Sequence, residues 1–398
     1  MALFIPALIF LEVKLVGRLF VSEIFLIILL PFLWMNNRSS LSLPLLRFLA
    51  ILFTAWLLAQ IFTDVYRATA FEDWTRGWSK IIFLSINFLS IYLLLNNRRN
   101  RFILFGLGIA LGQALAFYFN PNIYAQDYPW KFGYGMCITL LTLIFIQLYV
   151  VEKYKFLAFT MIAFLSILNF YMGFRSLGAI CMLVLAMTFL VEKQYFASKT
   201  MHLKKIIFLF LLGLILSFGI VKLYAYAAGE GWLGLQAQEL YLQQESGEFG
   251  FLLGGRTEFL ASSQAVLDSP IIGYGSWAKD RQYADIMIDA LREYGYYATS
   301  IEGESDLIPT HSYLMGAWVE AGIMGALFWF WVLGLVFYGL ISLFVKQSNL
   351  TILISFASFT LLWDIPFSPL GGEGRLYSAF YFTLIIYSLA QSKNRYNP

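Results

Sequence analysis

The chain is short of charge. Of its 398 residues only 13% are Asp, Glu, Lys or Arg and 60% are apolar, whereas a soluble domain is about a quarter charged. With a mean hydropathy of +0.71 and 39 Phe, 24 Tyr and 11 Trp, it lacks the polar surface to cover water-soluble domains. Cysteine and histidine are scarcer still, at two each. Cys137 and Cys181 both fall in apolar runs, which favours packing over a disulfide or metal pair, and no Cys/His spacing suits a metal. The absence of a P-loop argues against ATP hydrolysis. No Asp-x-Asp pair stands ready to hold a divalent ion against a sugar nucleotide, and Glu304-Ser-Asp306 comes nearest. The net charge of +3 is spread over short loops rather than gathered in one patch, so nucleic acid is not an expected partner. The apolar start lacks the basic region and small-residue cleavage site of a signal peptide.

What is present is a series of apolar runs of the length that crosses about 30 Å of hydrocarbon. They lie near 2–17, 19–35, 43–62, 79–95, 102–119, 133–151, 156–172, 177–191, 206–224, 318–345, 350–365 and 376–391. The expected fold is all-α, a polytopic membrane protein with about 12 transmembrane helices. The first run carries Glu12, Lys14 and Arg18; if it does not cross, the count is 11 and the N-terminus changes sides. Residues 1–224 would hold nine helices, 225–311 a long loop, and 312–398 the remaining spans.

Loop charge orients the chain. The loops 36–42, 96–101, 152–155, 192–205 and 346–349 with the tail 392–398 hold 13 Lys or Arg in 42 residues. The alternating loops 63–78, 120–132, 173–176 and 366–375 hold five in 43. The excess marks the first set, with both termini, as cytoplasmic. The 87-residue loop 225–311 then faces the periplasm or cell exterior, with 13 of the 24 acidic residues and four basic ones. Helical spacing in GLQAQELYLQQ and DRQYADIMIDALREY points to a folded helical cap.

On so acidic an outer face each cation stands out. Arg175, in the tight connection GFRSLGA, is either a snorkelling side chain or an anion ligand. Arg256 follows two glycines and precedes Thr257, a candidate helix cap; its plain alternative is a surface ion pair. Arg76 and Lys80, four apart in DWTRGWSK, share a helix face suited to phosphate, although Trp74 and Trp78 equally suit an interfacial anchor. Arg67, Lys131 and Arg375 complete the outer set. His202 lies in the basic loop SKTMHLKK and reads as solvated. His311, where the loop ends and a helix begins, has the pKa range of a base near neutral pH. Glu302, Glu304, Asp306 and Glu320 are candidates to orient it. Glu320 enters an apolar span and needs a partner, for which arginine is the obvious choice.

The ordered set GFRS, GGRTEFLASSQAVLDSPIIGYG and HSYLMGAWVEAGIMG resembles the O-antigen ligase and polymerase superfamily of membrane glycosyltransferases. The matching features are Gly255-Arg256, the turn Pro270-Ile271-Ile272-Gly273-Tyr274-Gly275, His311, and Glu320-Ala321-Gly322, within roughly 170–330. Ser312 departs from the family's usual Asn, and the run around Arg175 is shortened. The resemblance implies an inverting transfer, needing neither metal nor cofactor. A glycan would pass from undecaprenyl diphosphate in the cytoplasmic (inner) membrane to a sugar hydroxyl outside it. Arg175 and Arg256 would bind the diphosphate, with Arg76 and Arg375 second. His311 would activate the acceptor hydroxyl, and Glu320 would hold an arginine or the histidine. The acceptor would be a lipid-linked glycan in a polymerase or lipid A–core in a ligase, with polymerase preferred and other polysaccharide-assembly proteins as further partners. Two rival classes remain. A transporter would need ionisable residues deep in several spans, where Glu23, Arg47 and Asp364 are the few candidates. A non-catalytic envelope scaffold would tolerate changes at Arg175, Arg256 and His311.

Overall fold

The computed structural model describes residues 1–15, 17–37, 41–121, 123–193, 219, 221–235, 238–239, 241–242, 256–293, 305–345 and 348–393. The protein is an all-α polytopic membrane protein with one small exception near its start. Six helices are long and apolar enough to cross a membrane: α2 (Pro44–Tyr66), α3 (Phe71–Leu95), α4 (Arg99–Phe119), α5 (Trp130–Val150), α7 (Arg175–Glu192) and α11 (Ile323–Val345). Shorter apolar helices are α1 (Val21–Asn37), α6 (Lys155–Tyr171) and α12 (Thr351–Phe367). The long connection contributes α8 (Glu258–Asp268) and α9 (Arg281–Glu293), followed by α10 (Tyr313–Ala321). The last helix, α13 (Gly372–Lys393), is the central post of the bundle. Its Leu376, Phe380, Tyr381, Phe382 and Ile385 are all buried, whereas Phe62 of α2 and Ile167 of α6 face outward. Apolar side chains both inside and outside a helical bundle are what a lipid solvent allows, because every backbone group is satisfied within the helices.

Successive helices run alternately, so the bundle has two ends. One carries Arg98, Arg99 and Arg101 at the junction of α3 and α4. The other carries α8–α10 and is called the cap end. Aromatic packing ties the helices together near the cap end: Trp56 of α2 lies 4.8 Å from Phe328 and 6.0 Å from Trp329 of α11. Cys137 and Cys181 are buried free thiols.

Two expectations about spans change. Residues 2–17 do not form a crossing helix. They make a single turn at Phe4–Ala7, a 3-10 turn at Leu8–Phe10, and the antiparallel hairpin β1 (Glu12–Leu15) and β2 (Gly17–Phe20). The alternating Glu12-Val13-Lys14-Leu15 has the period of a strand, and its charges would be costly in a helix crossing lipid. The short helix wedges against α4, where a Cβ on Gly108 would fall 2.2 Å from the Leu3 carbonyl and one on Gly112 2.7 Å from that of Pro6. The hairpin sits at the cap end, with Arg18 bonded to Glu373 at the start of α13. It therefore lies at the end of the bundle opposite to Lys393. The second change is in the run 318–345, which is broken. Gly322 (φ +63°) separates α10 from α11. The expected span 206–224 lies almost wholly outside the described residues.

Candidate functional site

The turn 270–275 and the break at Gly322 build the floor of the cap. Tyr274 and Gly275 donate their amides to the carbonyls of Val319 and Glu320, at 2.7 and 3.0 Å, and Ile323 donates to Ile271. Gly273 and Gly275 have φ of +84° and +91°, a region where an L side chain is strained. The end of α2 grips the same turn. Thr63 donates to the Ile272 carbonyl at 2.7 Å and Arg67 to that of Gly273 at 3.0 Å. Asp64 accepts from the Ser276 amide, the Ser276 hydroxyl and the Trp78 indole. Two segments 50 residues apart in the motif set are thus one interlocked unit. Sequence reasoning noted Arg67 only as a spare cation and missed Asp64 altogether. A cap core of Ala261, Ala265, Tyr283, Met287, Met315 and Val319 packs above this floor and draws in one face of α10.

His311 and Arg256 come together. Both line a small cavity of about 80 Å³ with Glu258, Ser262, Ser312 and Phe367. His311 Nδ1 lies 3.8 Å from Glu258 Oε1, and its side chain is 56% exposed, open to a substrate. Among the described residues the carboxylate beside the histidine is therefore Glu258, at the first turn of α8, and neither Asp306 nor Glu320. Asp306 lies 3.8 Å from Arg281, Glu320 pairs elsewhere, and Glu302 and Glu304 lie outside the described residues, as do Gly255 and His202. Thr257 is buried but makes no side-chain cap to α8, again contrary to expectation.

Arg256 donates from Nη1 to the Phe367 carbonyl and stacks over Trp363 and Phe367 at 5.2 and 4.9 Å. Ser312 donates to the Ile365 carbonyl at 2.9 Å while accepting from the Met315 amide, so it caps α10. The last turn of α12, whose carbonyls lack helical partners and carry the negative dipole end, is thus satisfied by two residues of the motif set. Burial pushes the Arg256 pKa down, and the Glu258 charge draws it back up. Arginine nevertheless stays protonated.

Arg175 opens α7, where the helix dipole disfavours a cation, and lies 5.1 Å over the Tyr224 ring. The charges of Arg175 and Arg256 both act on Lys131 at the start of α5.

Arg76 and Arg375 do not join them. They line a separate, larger cleft of about 1200 Å³ with Arg18, Lys80 and Glu320. Arg76 and Lys80 do share a face of α3, as their spacing predicts. Arg375 is buried, donating from Nε and Nη2 to Glu23 at 2.9 and 2.8 Å. Glu320 bonds Lys80 at 2.5 Å, so its partner is a lysine rather than the expected arginine or histidine. The two cavities meet at Ser312, which lines both. Among the described residues no group of three or more His, Cys, Asp or Glu has metal-holding geometry.

No family model matches the chain, and neither a curated protein nor a solved structure matches it.

Proposed function

We propose that the protein is a membrane glycosyltransferase, moving a glycan from undecaprenyl diphosphate to a sugar hydroxyl and polymerising a surface polysaccharide. The observation that carries the reading is the shared cavity of Arg256, His311 and Glu258. Each of Arg175, Arg256 and His311 is also a residue picked out by the sequence resemblance.

The chemistry follows from the donor set. The acceptor hydroxyl oxygen attacks the anomeric carbon, and the C–O bond to the diphosphate breaks with its electron pair leaving on the phosphate oxygen. Direct displacement inverts the anomeric centre. His311, with Nδ1 towards Glu258, keeps Nε2 for the hydroxyl proton; a positioned base contributes roughly 10²–10⁴-fold. Arg256 and Arg175 meet the growing charge on the leaving diphosphate, and Lys131 adds to them. One preorganised donor of this kind is worth about 3–4 kcal/mol. Arg256 is held by the α12 carbonyl and two rings before substrate arrives, which lowers the cost of ordering it. Glu320 acts through Lys80 at the cleft wall rather than at the histidine.

The basic α3–α4 junction argues that this end faces the cytoplasm, with the cap end outside an inner membrane. A transporter reading gains little from Glu23, because Arg375 already neutralises it. Polymerase and ligase differ in their acceptor, a lipid-linked glycan or lipid A–core.

The test is a reconstituted transfer assay in lipid with undecaprenyl diphosphate-linked repeat units, read by mass spectrometry. A ladder of longer lipid-linked glycans, lost in His311→Ala and Arg256→Ala, supports the polymerase. Transfer only after lipid A–core is added makes it a ligase, and no transfer with either acceptor sinks the proposal.

A further inference from the structure

The larger cleft has a chemistry of its own. Its wall presents Arg18, Arg76, Lys80 and Arg375, with Glu320 the sole carboxylate among the described residues. The other acids stand behind the cations. Glu23 holds Arg375, Glu12 and Glu373 hold Arg18, and Asp73 binds Lys279 at 2.5 Å while lying 3.8 Å from Arg76. Five cations and five carboxylates therefore make a shell that is neutral as a whole but turns its positive side to the cavity. Such a shell suits single charges spaced along a ligand, each met by one of the separate cations on the wall.

Arg76 is the cation least committed to a partner. Its guanidinium lies 5.2 Å over the Trp277 ring, and Asp73 reaches it only at 3.8 Å. Stacking holds the planar fork in place and leaves its edge for a carboxylate, the geometry arginine recognises with two parallel hydrogen bonds. Around it the wall carries Phe71, Phe83, Trp277 and Tyr313, with the hydroxyls of Thr75, Ser79 and Thr310 between them. Aromatic faces take the C–H face of a sugar ring, and hydroxyls take its polar edge. A volume of about 1200 Å³ exceeds the 300–1,000 Å³ of pockets for single small ligands, so it has room for several sugar rings.

We infer that this cleft binds an acidic glycan, a run of sugar rings bearing single carboxylates, with Arg76 as its principal carboxylate contact. Ser312 lines both cavities and directly follows His311 in the chain, so the cleft and the His311 cavity share a wall. As the acceptor side of the transfer, the cleft draws its purpose from the proposed function. Its binding is measurable without any donor, so the two ideas fail separately.

The experiment uses the full chain in nanodiscs of zwitterionic lipid and titrates in an oligogalacturonate tetramer or the same tetramer with its carboxyls reduced. The acidic tetramer is expected to bind at least about tenfold more tightly and to weaken with salt. Arg76→Gln should lower its affinity by about 10–100-fold, the range for a hydrogen bond to a charged group, while leaving the reduced tetramer unchanged. Arg76→Lys, which keeps the charge but loses the fork and the stacking, should fall between. A melting temperature within a few degrees of wild type in both variants makes the comparison one of binding. Equal binding of the two tetramers, or binding of neither, overturns the inference. So does displacement of the acidic tetramer by an anionic phospholipid added to the disc, which would make the cleft a lipid headgroup site.

Discussion

Gly273 and Gly322 meet backbone against backbone: a Cβ on Gly273 would stand 2.7 Å from the Gly322 amide nitrogen, and one on Gly322 would stand 1.9 Å from the Ile271 carbonyl oxygen. Both have positive φ, so each position excludes a side chain twice over, by conformation and by space. The contact joins the periplasm-facing loop of the sequence reading to the start of the final helices.

Either glycine replaced by alanine should therefore cost stability and function together. Gly322→Ala is expected to lose about 3 kcal/mol or more, because the obstacle is backbone that must shift. Melting in detergent and transfer rate should fall in parallel. A normal melt would show that the interlock is looser than the distances say.

His311 is exposed, so its loss should leave the fold alone. His311→Ala is expected to cut transfer by about 10²–10⁴-fold with an unchanged melting curve. Glu258→Gln should cost less, about tenfold, since it alters the group that faces Nδ1 but leaves the base itself. Wild-type rates in both variants would take the pair out of the mechanism.

At Arg256 charge and shape separate. Arg256→Ala should lose roughly 10²–10³-fold in transfer. Arg256→Lys keeps the charge but neither the fork to the Phe367 carbonyl nor the stacking on Trp363, and should recover only part of that loss. Full recovery by lysine would mean that position matters little. The readout is single-turnover transfer at saturating donor.

Arg375 makes a contrasting case. Removing it leaves Glu23, fully enclosed, without its partner, and Arg375→Met alone should destabilise by about 3–5 kcal/mol. Adding Glu23→Gln should restore much of that, as a double-mutant cycle on melting would reveal. If the single variant melts normally but binds donor poorly, Arg375 is a ligand after all.

Much of this was readable in advance, because lipid imposes its length on apolar runs. Ten of the expected runs correspond to described helices or, for 318–345, to a broken pair. The hairpin at Glu12–Phe20 escaped because hydropathy averaged over a window hides an alternation of period two, although Glu12, Lys14 and Arg18 signalled it. The break at Gly322 sits inside an unbroken apolar run, and its cause, Ile271, is 51 residues away in sequence. Arg256 and His311 stood out because basic residues are rare on that face. Their companions did not. Glu258 as neighbour to His311, Lys80 as neighbour to Glu320 and Glu23 as neighbour to Arg375 depend on how helices cross, which no spacing along one helix encodes.

The final turn of α12 accepts two bonds from the cap. Ser312 and Arg256 hang from carbonyls only two residues apart, Ile365 and Phe367. One precedes α10 and the other precedes α8, so a single helix tip is the hinge pin for both leaves of the cap. A small rotation of α12 would swing Arg256 and the residue next to His311 in the same sense. The Arg256 and His311 sides of the cavity would then stay in step while its mouth widened or narrowed.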